Sequence, residues 1–82
     1  MPYIKQKDRL KMDEVVNAMV KSNVLVNGDL NYILYKFCKY HIYPSYNNYK
    51  NFCGELRQCA IEIERRILGP YEDRKIEENG DV

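Results

Sequence analysis

Apolar residues return every three or four positions through three successive segments, and this period constrains the fold more than any other feature of the chain. Met12, Val15, Val16, Met19 and Val20 fall at i, i+3, i+4, i+7 and i+8, so residues 12–22 predict a helix with one apolar face. Leu30, Ile33, Leu34, Phe37, Cys38, His41 and Ile42 repeat the pattern over 30–42. Asp29 is the expected N-cap of this second helix, and Pro44 ends it because the residue before a proline is pushed out of the helical region. Ser45 then caps the longest segment, 45–68, on which Tyr46, Tyr49, Cys53, Leu56, Ala60, Ile63 and Ile67 alternate spacings of three and four in a heptad-like seam. Gly69-Pro70 predicts its stop. The expectation is an all-α fold: a small three-helix bundle with a long C-terminal helix and ordered extended termini, the tail being residues 70–82.

Between the first two helices, Val24-Leu25-Val26 is β-branched and apolar, but Asn27-Gly28-Asp29 follows at once and leaves room only for a short connector pinned to the core. A helix over 45–68 is roughly 36 Å long at 1.5 Å per residue. The two shorter helices fall short of that length as antiparallel partners. Part of the seam is therefore expected to face a second copy.

Composition bounds the function. With 82 residues, residues 1–82 read as a single domain with a thin stability margin. Thirteen Lys and Arg against twelve Asp and Glu, with 45% hydrophobic residues, give a chain that collapses rather than stays disordered. Three cysteines without a CxxC pair supply no disulfide framework, and no apolar run approaches a membrane span. A soluble cytoplasmic protein, without membrane partner or cofactor, is the expectation. The near-zero charge is a sum of unlike parts. Lys5, Lys7, Arg9 and Lys11 against Asp8 make a basic head; Glu72, Asp73, Glu77, Glu78 and Asp81 against Arg74 and Lys75 make an acidic tail. These are either ordinary solvated ends or two segments that lie together, with Tyr3, Ile4, Tyr71 and Ile76 packing.

Catalytic and metal chemistry find little material. Cys38 and His41 share a helix face at ligand spacing, but Cys53 and Cys59 are six apart and point differently, so neither zinc nor any other metal is expected. One histidine gives no nucleophilic triad, and the four glycines are isolated rather than gathered in a phosphate loop. No catalytic residue is expected, and the protein reads as a non-enzyme. The cysteines read as small core hydrophobes.

The unusual feature is aromatic. Tyr32, Tyr35, Tyr40, Tyr43, Tyr46 and Tyr49 crowd the second helix, the turn and the start of the third, interleaved with Lys36, Lys39 and Lys50. Tyrosine carries apolar area and a hydroxyl together, which suits it both to filling a small core and to binding proteins or stacking on bases. Near-neutral charge argues against duplex DNA as a partner.

Several short stretches carry a resemblance: Met1-Pro2-Tyr3-Ile4, Leu30-Asn31-Tyr32-Ile33, Glu64-Arg65-Arg66, Pro70-Tyr71-Glu72-Asp73, Lys75-Ile76, and Glu78-Asn79-Gly80-Asp81-Val82. Together they resemble a family of short uncharacterised proteins encoded in phages, prophages and bacterial genomes. The resemblance spans nearly the whole chain, and the chain departs from the pattern in its three cysteines and in Glu64, where an aromatic is expected. It implies a phage or mobile-element accessory protein in the host cytoplasm. On that basis the expected function is stoichiometric binding directed against host defence, occupying an immune effector protein or its small nucleotide signal. The alternative is a structural homo-oligomer of a larger phage complex. Candidate binding residues are Tyr3, Tyr32, Tyr35, Lys36, Lys39, Tyr43, Arg65, Arg66, Tyr71, Lys75 and Asn79.

Overall fold

The computed structural model describes residues 4–82, and the elements among them are helical, with no strand. A single 3-10 turn, Gln6–Asp8, leads into α1, Arg9–Lys21. Helix α2 is Asp29–His41. Helix α3, Tyr46–Ile63, runs through a π turn, Glu64–Leu68, into α4, Gly69–Asn79, so that the last helix is continuous over 34 residues. The all-α class and the long C-terminal helix expected from the apolar period are both present. The chain divides into two units, the first ending at Ile42 and the second running from Tyr43 to Val82.

In the first unit, α1 closes with its carbonyls satisfied by the chain that leaves it. Asn23 adopts φ 54°, its N–H donates to Val20 O at 3.0 Å, and the Val24 N–H reaches back to Met19 O at 3.1 Å. This pair of bonds is the Schellman closure, and Asn tolerates the left-handed residue it requires. Gly28 sits at φ 123°, where a side chain would be strained, and turns the chain into α2. Asp29 does not cap α2 as the sequence predicts. It is the first helical residue, and its Oδ2 accepts the Leu25 N–H at 3.0 Å, tying down the connector instead. Val24 is half-buried, whereas Val26 is 90% exposed, so only one end of that connector is held. Helices α1 and α2 do not pack side by side.

In the second unit, Ser45 is the predicted cap: its backbone is extended and its Oγ accepts the Asn48 N–H at 3.0 Å. The Asn48 side chain donates in turn to Tyr43 O at 3.0 Å.

The predicted stop at Gly69-Pro70, with an extended tail from residue 70, is overturned: the helix continues to Asn79. Proline breaks a helix because it lacks an N–H and its ring strikes the carbonyl one turn earlier. The π turn widens the backbone just before Pro70, with the Gly69 N–H bonded to Glu64 O five residues back. Pro70 then stands in the first turn of α4, its ring accommodated by the widened backbone, and Glu72 follows in that same turn. A Cβ on Gly69 would stand 3.1 Å from the Glu64 carbonyl oxygen, a tight contact that the π turn would have to ease by a few tenths of an ångström.

Among the described residues none is buried. The apolar strips of α1 and of the long helix face outward within their own units, as do Cys53 and Cys59, which the sequence reading placed in a core.

Candidate functional site

Helix α2 carries two adjoining faces. The apolar one, through Leu30, Leu34, Cys38 and, just past the helix end, Ile42, is half-buried. Beside it Tyr32, Tyr35, Lys36, Lys39 and Tyr40 fall at i, i+3, i+4, i+7 and i+8 and form a strip with no acidic residue. The three tyrosines are 61, 65 and 65% exposed, in chain order. They are therefore not core filler within this unit. The Lys36 ammonium sits 5.4 Å from the centre of the Tyr32 ring and donates to its hydroxyl at 3.2 Å, while Lys39 lies 5.5 Å from the Tyr40 ring. These contacts hold the long lysine stems along the helix and array their charges with the rings.

Tyr43 and Tyr46, in the second unit, are more exposed still, and Lys50 lies 5.6 Å from the Tyr46 ring. Further along, Arg65 and Arg66 both turn to Glu62. Arg65 Nη2 donates to its two oxygens at 2.7 and 3.2 Å, and Arg66 Nη1 stands 3.7 Å from Oε1. One carboxylate thus balances half of the positive charge there. Tyr71, Lys75 and Asn79 follow one another at i, i+4 and i+8 on α4, with Lys75 5.6 Å from the Tyr71 ring and 3.4 Å from the Glu78 carboxylate.

The expected binding residues therefore sort into two local groups. Tyr32, Tyr35, Lys36 and Lys39 share one strip of α2, and Tyr71, Lys75 and Asn79 share one strip of α4. Arg65 and Arg66 engage Glu62 between turns of the long helix, Tyr43 stands in the turn before α3, and Tyr3 lies outside the described residues. Ile4, which one of the two readings of the termini packs with Tyr71 and Ile76, is exposed within the first unit, with its carbonyl accepting the Arg9 Nε–H at 3.1 Å.

Tyr40, named in the aromatic cluster but left out of the candidate binding residues, belongs to the α2 strip at i+4 from Lys36. Phe52 escaped the sequence reading: it is half-buried on the face of α3 between Tyr49 and Leu56, a place that the seam drawn through Cys53 missed, although its spacing was legible. His41 packs its ring against Phe37 at 5.7 Å between centres. Among the described residues no three His, Cys, Asp or Glu gather as metal ligands. No described helix is long and apolar enough to cross a membrane.

Comparison with curated proteins and with solved structures finds no match. A family model does match, over residues 1–82, and carries the description "Domain of unknown function (DUF6899)". Matched by that model over residues 1–82, the chain belongs to the DUF6899 family.

Proposed function

We propose that the protein is a non-enzymatic accessory protein that acts by stoichiometric binding, and that the Tyr and Lys strip of α2 is its partner-facing surface. The observation that carries this reading is the exposure of Tyr32, Tyr35 and Tyr40 together with Lys36 and Lys39 on one acid-free strip. Aromatic rings with hydroxyls supply contact area at low entropic cost, and the ammonium groups select for negative charge. An anionic partner fits: the acidic face of a host protein, or the phosphates and base of a small nucleotide. Occupying a host immune effector or its nucleotide signal, in the setting of a phage or mobile element, is the role the family resemblance suggests.

The test is mass spectrometry of what copurifies from host cells with the wild-type chain and with a Tyr32→Ser, Tyr35→Ser, Lys36→Ser, Lys39→Ser variant. The reading expects a host protein or nucleotide at stoichiometric yield with the first and its loss with the second. Equal recovery with both would assign binding to another surface. A second reading, a structural homo-oligomer within a larger phage assembly, draws on a separate observation: the uncovered apolar strip of the long helix.

A further inference from the structure

We infer that the ligand of the α2 strip is single-stranded nucleic acid, its bases stacked on the tyrosine rings and its phosphates held by Lys36 and Lys39. This deepens the reading of that strip as the partner-facing surface and rests on it. The first observation is a gap in the charge pattern. All twelve acidic residues of the chain lie outside residues 30–54, a run that holds six of the eight tyrosines and three lysines. Every formal charge within the run is positive, so a polyanion meets no repulsion from it.

The second observation is a repeated pair. A tyrosine precedes a lysine by four residues at Tyr32 and Lys36, at Tyr35 and Lys39, and again at Tyr46 and Lys50. Residues four apart are neighbours on a helix surface. The Lys36 and Lys50 ammonium groups stand 5.4 and 5.6 Å from the rings of Tyr32 and Tyr46, and Lys39 stands 5.5 Å from the Tyr40 ring. Each pair sets an aromatic face beside a positive charge. A nucleotide presents the complement of both, a flat base and a phosphate. The ammonium covers one face of its ring, and the second face is left for a base.

The shape of the surface selects a strand over a free nucleotide. A helix face is convex and cannot enclose a small ligand. From Tyr32 to Tyr40 it runs about 12 Å at 1.5 Å per residue, room for a few nucleotides in line. A strand laid along it engages successive pairs, and each bound nucleotide keeps the next within reach. An acidic protein face would answer the ammonium groups, but its carboxylates offer nothing flat to the rings beside them. The chain also carries its own control. Tyr71 and Lys75 make the same four-residue pair on α4, at 5.6 Å. Glu72 and Asp73 adjoin that pair, and the Glu78 carboxylate lies 3.4 Å from the Lys75 ammonium. The pairing is the same, but the surrounding charge repels phosphate.

Fluorescence anisotropy tests this with an end-labelled single strand of about 15 nucleotides, near the upper site size of one binding domain. The wild-type chain should bind it, and a fourfold rise in salt should weaken binding about sevenfold, from two ammonium contacts. Lys36→Ser with Lys39→Ser should flatten that dependence. Tyr32→Ser and Tyr35→Ser should each weaken binding at least about fivefold, whereas Tyr32→Phe, which keeps the ring, should bind as the wild type does. Tyr71→Ser with Lys75→Ser should leave binding unchanged. Loss of binding in that α4 variant equal to the loss in the α2 variants would overturn the proposal, because any exposed ring would then serve. A host protein recovered with the wild-type chain and lost with the α2 variant, while the strand does not bind, would overturn nucleic acid as the ligand and leave the α2 reading standing. Strand binding that no α2 substitution weakens would overturn both.

Discussion

Gly69 and Gly28 illustrate how single backbone positions decide this structure. At Gly69 a methyl group would press on the Glu64 carbonyl oxygen at 3.1 Å, so Gly69→Ala should disturb the π turn that lets Pro70 be passed. The expected readout is loss of helical circular dichroism from the α4 end, with α1 and α2 amide signals unmoved. At Gly28 the obstacle is φ 123°, with open space around it. Gly28→Ala should therefore cost about 1 to 2 kcal/mol in a denaturant titration, from backbone strain alone. The Glu62 ion pairs with Arg65 and Arg66 are exposed on the arginine side while Glu62 is half-buried, and Glu62→Gln should lower stability by no more than about 1 kcal/mol. At this scale the sequence was readable where side-chain chemistry is local. Ser45 as a cap follows from its position before Tyr46, and the Asn48 N–H confirms it. Asp29 looked like the same device, but Gly28 before it frees the chain to turn, and the carboxylate serves Leu25 instead.

At the scale of elements, the long helix carries the main departure from the sequence reading. Gly69-Pro70 has the chemistry of a stop, and every residue-level rule for ending a helix is met there. What outweighs it lies on both sides: Pro70 followed by Glu72 and Asp73 is also the signature of a helix start, and Ile67, Tyr71 and Lys75 continue the strip. A one-residue insertion in the backbone reconciles the two signals, and nothing in the residue types announces it. Pro70→Ala removes the reason for the π turn. The helix is then free to close as regular α-helix, so helical content should hold or rise. Closing it should turn everything beyond Gly69 by about 100° relative to α3, one residue's rotation, with amide shifts changing only near the π turn and along α4. Ser45→Ala, by contrast, should lower stability by about 1 kcal/mol without altering register. The helix cores and their apolar faces were legible because a period of three and four repeats over several turns.

For the whole molecule, the apolar period was a sound guide to which faces are sticky and a poor guide to what they touch. A bundle was expected because three amphipathic helices must bury their faces somewhere. The three helices are present, and within its own unit the long one has no helix to cover its strip. Periodicity measures the face that a helix offers, while its partner depends on loop geometry and on other chains, which no single sequence period encodes. The same limit applied to the candidate site. Tyrosines suited to a core or to a surface could not be sorted by composition; on α2 they are exposed within their own unit, as is Phe37 beside them.

Mass spectrometry of what copurifies with the wild-type chain, and with the variant carrying Tyr32→Ser, Tyr35→Ser, Lys36→Ser and Lys39→Ser, decides whether the α2 strip is the surface that meets a partner. A host protein or nucleotide recovered in stoichiometric yield with the first and lost with the second is the expected result. Equal recovery with both chains would contradict it.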